Sequence, residues 1–257
     1  MKILISGASS KFAQKSAKIL GSKGHNVKLV GRNTNPSFNL GNVHESSSLL
    51  QDVDVFLHFA HSNSENMDHD LNQIAADQLI QLTEKFRGLK SIYISSDSAS
   101  SKAKSSYGTS KYRTERIFLR SFSWRVTRVG VILDEDIDSP YQMLKRFVKK
   151  ARILIFPLAH DQRYTTVTCE EFVENCLQSL QNENFGGILS FCGSSRKSII
   201  SILADEGLRP HLVIALPNFV VLFACKFTGR IPKLSRISDS ALSAISELDP
   251  YPDSQKS

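Results

Sequence analysis

The sequence predicts an α/β fold, a doubly wound parallel sheet followed by a small C-terminal lobe. Short apolar runs alternate with stretches of helical periodicity along the first half of the chain, and that alternation builds right-handed βαβ units on a parallel sheet. The first apolar run, residues 1–6 (MKILIS), opens directly into Gly7 and a turn of small residues. Near the middle, Tyr107 and Lys111 begin a helical stretch soon after a run that ends in Ser95-Ser96.

Each element follows from its pattern. Residues 1–6 hold the unbroken apolar run Ile3-Leu4-Ile5, as a parallel strand buried on both faces requires. Residues 11–22 carry Phe12, Ala13, Ala17, Ile19 and Leu20 at helical spacing and stop near Gly21 and Gly24. Residues 26–30 (NVKLV), 54–59 (DVFLHF), 91–95 (SIYIS) and 124–133 (WRVTRVGVIL) read as further strands. Leu71, Ile74, Ala75, Leu79 and Leu82 give one apolar face to a helix over about 70–86, and a second helix spans about 106–120. The loop 98–106 (SASSKAKSS) is Ser/Lys-rich, and the tail from Asp249 is polar with two prolines and is expected to be disordered. The organisation expected is a nucleotide-binding core over 1–133 and a substrate lobe over 134–257, with 161–182 returning to the core.

Composition narrows the function. At 257 residues, 41% hydrophobic and 22% charged, the chain can bury an ordinary core. Its net charge of +7 is scattered, which suits anionic small molecules such as dinucleotides and sugar nucleotides; no basic stripe interleaved with aromatics points to nucleic acid. Cys169, Cys176, Cys192 and Cys225 form no C-x-x-C pair, which argues against a metal site or disulfide framework and for a reducing cytoplasm. The opening residues read as strand and turn, not as a signal peptide. The apolar stretch 211–225 contains Pro217 and Asn218 and is shorter than the roughly 20 residues of a spanning helix. Burial in the lobe or against a partner is expected, with shallow membrane contact as the alternative.

The turn Gly7-Ala8-Ser9-Ser10-Lys11-Phe12-Ala13 fits the dinucleotide (Rossmann) pattern of a tight turn, close backbone approach to a pyrophosphate and a helix N-terminus beneath it. Gly7 suits the turn and Ala13 the helix–strand contact. Ser10 stands where a second glycine is usual, so its Cβ crowds the phosphate while its hydroxyl offers a donor. Tyr107 and Lys111, four residues apart, share a helix face, and an ammonium beside a phenol favours the phenolate. Ser96 is placed to hydrogen-bond a reacting oxygen. After the second strand the chain reads Gly31-Arg32-Asn33, with no carboxylate; Arg32 suits a 2′-phosphate, favouring NADP(H) over NAD(H), against the alternative of an exposed loop arginine. His58 and His61 read as packing or loop residues, because no ligand-spaced partner accompanies them. Asn72 reads as a polar group on a helix surface.

With these motifs in this order, residues 1 to about 180 resemble the short-chain dehydrogenase/reductase superfamily, specifically its extended branch of sugar-nucleotide epimerases, dehydratases and reductases. KILISGASSKFAQ is similar to that family's opening strand and turn, HFAH (58–61) to its fourth-strand end, YISSD (93–97) to the strand carrying its serine, YGTSKYRTE (107–115) to its Tyr-x-x-x-Lys helix, RVGVIL (128–133) to the strand leading to its lobe, and 162–180 to the segment returning beside the substrate. Asn72 falls at a family helix asparagine. The resemblance implies Tyr107 as general acid/base, Ser96 orienting the reacting oxygen with Asp97 and Ser98 as fallback partners, and Lys111 holding the nicotinamide ribose. It implies cofactor contacts from Gly7, Ser9, Ser10, Lys11, Phe12, Arg32, Ala60 and Lys111, and substrate contacts from Ser98 and Arg163, with Arg196 and Arg230 as companions of Arg163. The reaction implied is 4-keto reduction or epimerisation of a nucleotide-activated sugar by a homodimer, with Leu79, Ile80, Tyr112 and Phe118 in the interface. A non-catalytic NADP-binding regulator or scaffold on the same fold is the alternative.

Overall fold

The computed structural model describes residues 1–62, 69–157, 163–193, 196–217 and 220. The chain opens with strand β1 (Lys2–Ser6), helix α1 (Lys11–Ser22) and strand β2 (Asn26–Val30), followed by a 3₁₀ segment, Leu40–Leu50. It continues through β3 (Val55–His58), α2 (His69–Thr83), β4 (Lys90–Ser96), α3 (Ser106–Phe118) and β5 (Trp124–Val129). The remainder comprises β6 (Val131–Ile132), α4 (Pro140–Ala151), β7 (Ile153–Pro157), β8 (Thr166–Val167), α5 (Cys169–Ser179), β9 (Leu189–Cys192), α6 (Ile199–Asp205) and β10 (Leu212–Leu216).

Six strands form one parallel sheet in the order β2-β1-β3-β4-β5-β9. The chain leaves β1 for β2 on one side and then crosses to β3 on the other, so the carboxyl ends of β1 and β3 bound the crevice where such sheets bind ligands. Alternation along the strands feeds two cores. Ile3, Ile5, Leu57 and Ile94 pack with Phe12 of α1 and Phe172 of α5 on one face. Leu4, Phe56, Tyr93 and Trp124 pack with Leu79 of α2 and Phe118 of α3 on the other. A third, smaller core joins Tyr141 and Val148 of α4, Leu154 of β7 and Leu203 of α6.

The doubly wound sheet predicted from the sequence is present, with differences that have physical causes. The strand expected over 124–133 breaks at Gly130, because the Thr165 carbonyl comes within 2.3 Å of where a Cβ would stand there, and the Val131 N–H turns to that carbonyl at 2.8 Å. The region past residue 185, expected in the lobe, supplies the sixth strand of the sheet: β9 pairs with β5 from Val126–Leu189 to Val129–Cys192. Helices α2 and α3 lie side by side as expected, but Leu79 and Phe118 are fully buried in the chain's own core and cannot serve an interface. Their positions point to the sheet; the outward positions hold Ile74, Asp77, Arg113, Arg116 and Arg120. Of the apolar stretch 211–225, Leu212–Leu216 is a strand paired in parallel with β7. Residues 221–225 with Cys225, Arg230 and the tail from Asp249 lie outside the described residues. Among the described residues no helix is long and apolar enough to cross a membrane.

Candidate functional site

The sheet's carboxyl edge collects the sequence-predicted residues at two places, the first turn and the end of β4. At the first turn Gly7 adopts φ +91°, and a Cβ there would meet the Ala60 nitrogen and the Phe59 Cβ at 3.0 Å. Only glycine lets the turn pass so close to the end of β3. Ser10 caps α1, its Oγ accepting from the Ala13 N–H at 3.3 Å. Its place in the turn is therefore explained by helix capping, and no acidic residue stands in the first turn of α1 to repel an anion. Ser9 and Lys11 are exposed on this turn, whereas the Phe12 ring lies in the core against Phe59 and Phe172, so Phe12 offers a backbone N–H and not its side chain. The cradle and helix N-terminus together fit a dinucleotide pyrophosphate.

Arg32 is exposed on a turn that closes β2. Thr34 Oγ1 holds that turn, accepting from the Gly31 N–H at 2.8 Å and reaching the Gly31 and Pro36 carbonyls at 2.9 and 2.7 Å. Ala60, just past β3, donates its N–H to Ser6 Oγ at 3.4 Å. Ser6 Oγ also bonds His58 Nδ1 at 2.7 Å, and His58 stacks among Phe38, Phe56, Tyr93 and Trp124. Burial holds its imidazole down to about 3, hence neutral. That is the packing role expected of it. No group of His, Cys, Asp and Glu among the described residues could hold a metal.

At the end of β4 the structure brings Ser96, Ser98, Tyr107 and Lys111 together. The Ser96 side chain favours the ionised form of the Tyr107 phenol, and Ser96 Oγ lies 3.0 Å from Ser98 Oγ. Lys111 is 3% exposed; its Nζ donates to the Ile94 carbonyl at 2.8 Å and lies 4.7 Å from the Tyr93 ring centre and 5.9 Å from that of Tyr107. Asp97 turns away to accept from Thr165, in the segment returning from the lobe, so Ser96 takes the position beside the phenol. Arg163 is exposed two residues before Thr165. Arg196 acts electrostatically on Asp97, which brings it to the same strand end.

Three residues with structural parts in this site were missed or undervalued in the sequence. Gly108 lets α3 begin against the preceding loop: a Cβ there would meet the Ser98 carbonyl at 2.4 Å. Asn72 is 4% exposed and not a surface group. It bonds both backbone groups of Ser62, at 2.8 and 2.9 Å, and Ser110 Oγ at 3.3 Å, tying the loop after β3 to α3. Glu115 is buried one turn beyond Lys111 and is paired with Arg128 at 2.7 Å. The i, i+4 spacing from Lys111 was the available signal for Glu115; the bond between distant loops had none.

The electrostatics differ from the expectation that Lys111 favours the phenolate. Burial pushes the Tyr107 phenol up to about 12 and holds the Lys111 ammonium down to about 7. Desolvation is the largest influence on both groups.

No family model matches the chain, and no curated protein matches it. Solved structures do. MoeE5 in complex with UDP-glucose and NAD superposes with a TM-score of 0.64 at 17% identity, covering 84% of this chain and 86% of that one. The UDP-N-acetylglucosamine 4-epimerase from Bacillus cereus gives 0.64 at 15% identity, covering 84% and 85%. A dTDP-4-dehydrorhamnose reductase from Bacillus anthracis in complex with NADP gives 0.66 at 14% identity, covering 83% and 84%. The chain has the fold of the extended sugar-nucleotide epimerases, dehydratases and reductases. The resemblance seen in the motifs is thus matched by the path of the backbone.

Lys111 yields a direct test of this electrostatic picture. An unfolded lysine keeps its proton to about 10.4, whereas the folded one loses it near 7. Between these values the unfolded chain holds one more proton, so Lys111 makes stability rise with pH across that window. The slope for the parent should exceed that for Lys111→Met by up to about 1.4 kcal/mol per pH unit over roughly pH 7.5–8.5. Denaturant unfolding at several pH values checks this, and parallel slopes would contradict it.

Proposed function

We propose that this chain is an NAD(P)-dependent oxidoreductase or epimerase that acts on a nucleotide-activated sugar through Ser96, Tyr107 and Lys111. The observation that carries the reading is the gathering of Ser96, Ser98, Tyr107 and Lys111 at the carboxyl edge of a doubly wound sheet, with the Lys111 amine 5.9 Å from the Tyr107 ring centre and Ser96 Oγ 3.0 Å from Ser98 Oγ. The company of nucleotide-sugar enzymes in the same fold supports it.

The residues divide the work. Gly7, Ser9, Ser10, Lys11 and the Phe12 backbone receive the pyrophosphate, and Ala60 lines the passage to the nicotinamide. When bound, the nicotinamide supplies or accepts the hydride. Lys111 holds the adjoining ribose by charge-assisted hydrogen bonds. Ser96 orients the substrate oxygen, with Ser98 beside it. Tyr107 moves the proton: with its phenol held near 12 it is protonated at neutral pH and is set to donate to a carbonyl oxygen. That favours 4-keto reduction over the reverse step. Arg32, presented by the Thr34 turn, favours NADP(H). Arg163 contacts the anionic part of the sugar nucleotide. The chain works as a homodimer through the outward faces of α2 and α3, where Ile74, Asp77 and Arg113 take the places of Leu79 and Phe118 beside the half-buried Ile80 and Tyr112, and the free thiols of Cys169, Cys176 and Cys192 suit the reducing cytoplasm. A non-catalytic scaffold, the reading that Ser10 in place of a glycine and a reduced lobe would suit, has less support, since Ser10 serves as a helix cap and Ser96, Tyr107 and Lys111 are all present.

Tyr107→Phe keeps the ring and removes the transferable proton. Turnover of the sugar nucleotide should fall about 10²–10⁴-fold while NADPH still binds; parent-like turnover would remove Tyr107 from the role. Arg32→Ala should weaken NADPH roughly ten- to a hundred-fold and leave NADH nearly unchanged by calorimetry. Equal loss for both cofactors would remove Arg32 from the 2′-phosphate site.

A further inference from the structure

We infer that Glu115 and Arg128 are positioning residues that set the charge of Lys111 beside Tyr107. The inference rests on the reading of Lys111 as part of the acid–base set. Glu115 lies one helical turn after Lys111, on the same face of α3. Arg128 of β5 grips both of its oxygens, Nε to Oε1 at 2.9 Å and Nη2 to Oε2 at 2.7 Å. The two side chains are 2% and 1% exposed, and the guanidinium sits 5.6 Å from the Phe191 ring of β9.

The groups facing Lys111 leave Glu115 a distinct part. Tyr107 comes from its own helix, and Tyr93 and the Ile94 carbonyl come from β4. The Lys111 charge adds to burial in holding His58 of β3 neutral, and Arg128 of β5 stands behind Glu115. Among the described residues Glu115 is the one carboxylate acting on the lysine. Burial lowers the lysine and the Glu115 charge opposes that lowering. Burial likewise pushes the Glu115 carboxyl up, and Arg128 opposes this by holding the ionised form. The three charges therefore alternate, plus, minus, plus, from site to sheet. Arg128 favours the ionised form of Glu115, and ionised Glu115 favours the protonated form of Lys111, each against the pull of burial. The same carboxylate raises the Tyr107 phenol slightly, which preserves the acid form for donation.

A buried ion pair contributes little net stability compared with apolar residues of the same size, so the pair can be replaced without losing the fold. The test uses full-length protein with isotope-labelled lysine and no cofactor or substrate. The Lys111 side-chain signal is assigned with Lys111→Met and followed against pH by NMR. In Glu115→Gln, and in the double variant Glu115→Leu with Arg128→Met, the protonated fraction of Lys111 at a fixed pH above neutrality should drop tenfold or more. The double variant keeps the test open if the single one fails to fold, because it leaves no unpaired buried charge. A folded double variant that titrates like the parent would reduce the pair to a structural role and overturn the inference. Since nothing is turned over, this outcome is independent of the Tyr107→Phe result, and either claim can fail alone.

Discussion

Helix α3 presses a polar face onto the sheet, and the rest of the site depends on that contact. Ser110, Lys111, Thr114 and Glu115 are all buried there, where an unpaired charge would be very costly. Each has a partner, and for three of them the fold brings it from another element. Lys111 reaches the Ile94 carbonyl, Glu115 meets Arg128, Ser110 meets Asn72 of α2, and Thr114 turns back to the Ser110 carbonyl at 2.9 Å. Apolar residues would pack this face more cheaply. Polar residues at these positions place an amine and a phenol side by side at the carboxyl edge of β4.

The approach of α3 is set by backbone as much as by side chains. Ser105 caps the helix, accepting from the Gly108 N–H at 3.1 Å, and Gly108 allows the Ser98 carbonyl to come within what would be contact distance of a Cβ. The loop 98–103 and the first turn of α3 are thereby locked together, which brings Ser96, Ser98 and Tyr107 to one point. Gly7 at the end of β1 and Gly130 after β5 do the same for the turn that leads into α1 and for the returning segment at Thr165. The site is thus framed by three positions where a side chain would not fit.

Much of this was legible in the sequence because it is local. Hydrophobic periodicity located α1 and β2 to the residue, and the i, i+4 pair of Tyr107 and Lys111 is a property of one helix. What was illegible depends on contacts distant in the chain. β9 reads as an unremarkable Leu-Ser-Phe-Cys run, and only β5 makes it the sixth strand of the sheet. Leu79 and Phe118 look like surface candidates in a heptad-like stretch until the sheet beneath them is known. Arg128 lies inside an apolar strand, where an arginine seems out of place until Glu115 is found opposite it. The expectation about Tyr107 erred for a similar reason: proximity in sequence implied an ammonium next to the phenol, while the depth of burial, a tertiary quantity, decides both protonation states.

The proposed function requires one dinucleotide to run from the Gly7 turn to Lys111 and to bring its nicotinamide to Tyr107. A crystal structure of the protein soaked with NADPH measures that path. The pyrophosphate is expected over the N-terminus of α1, the 2′-phosphate near Arg32, the nicotinamide ribose hydrogen-bonded to Lys111 Nζ and the nicotinamide ring facing the Tyr107 hydroxyl. A dinucleotide bound elsewhere, or with its nicotinamide end directed away from Tyr107 and Lys111, would contradict it.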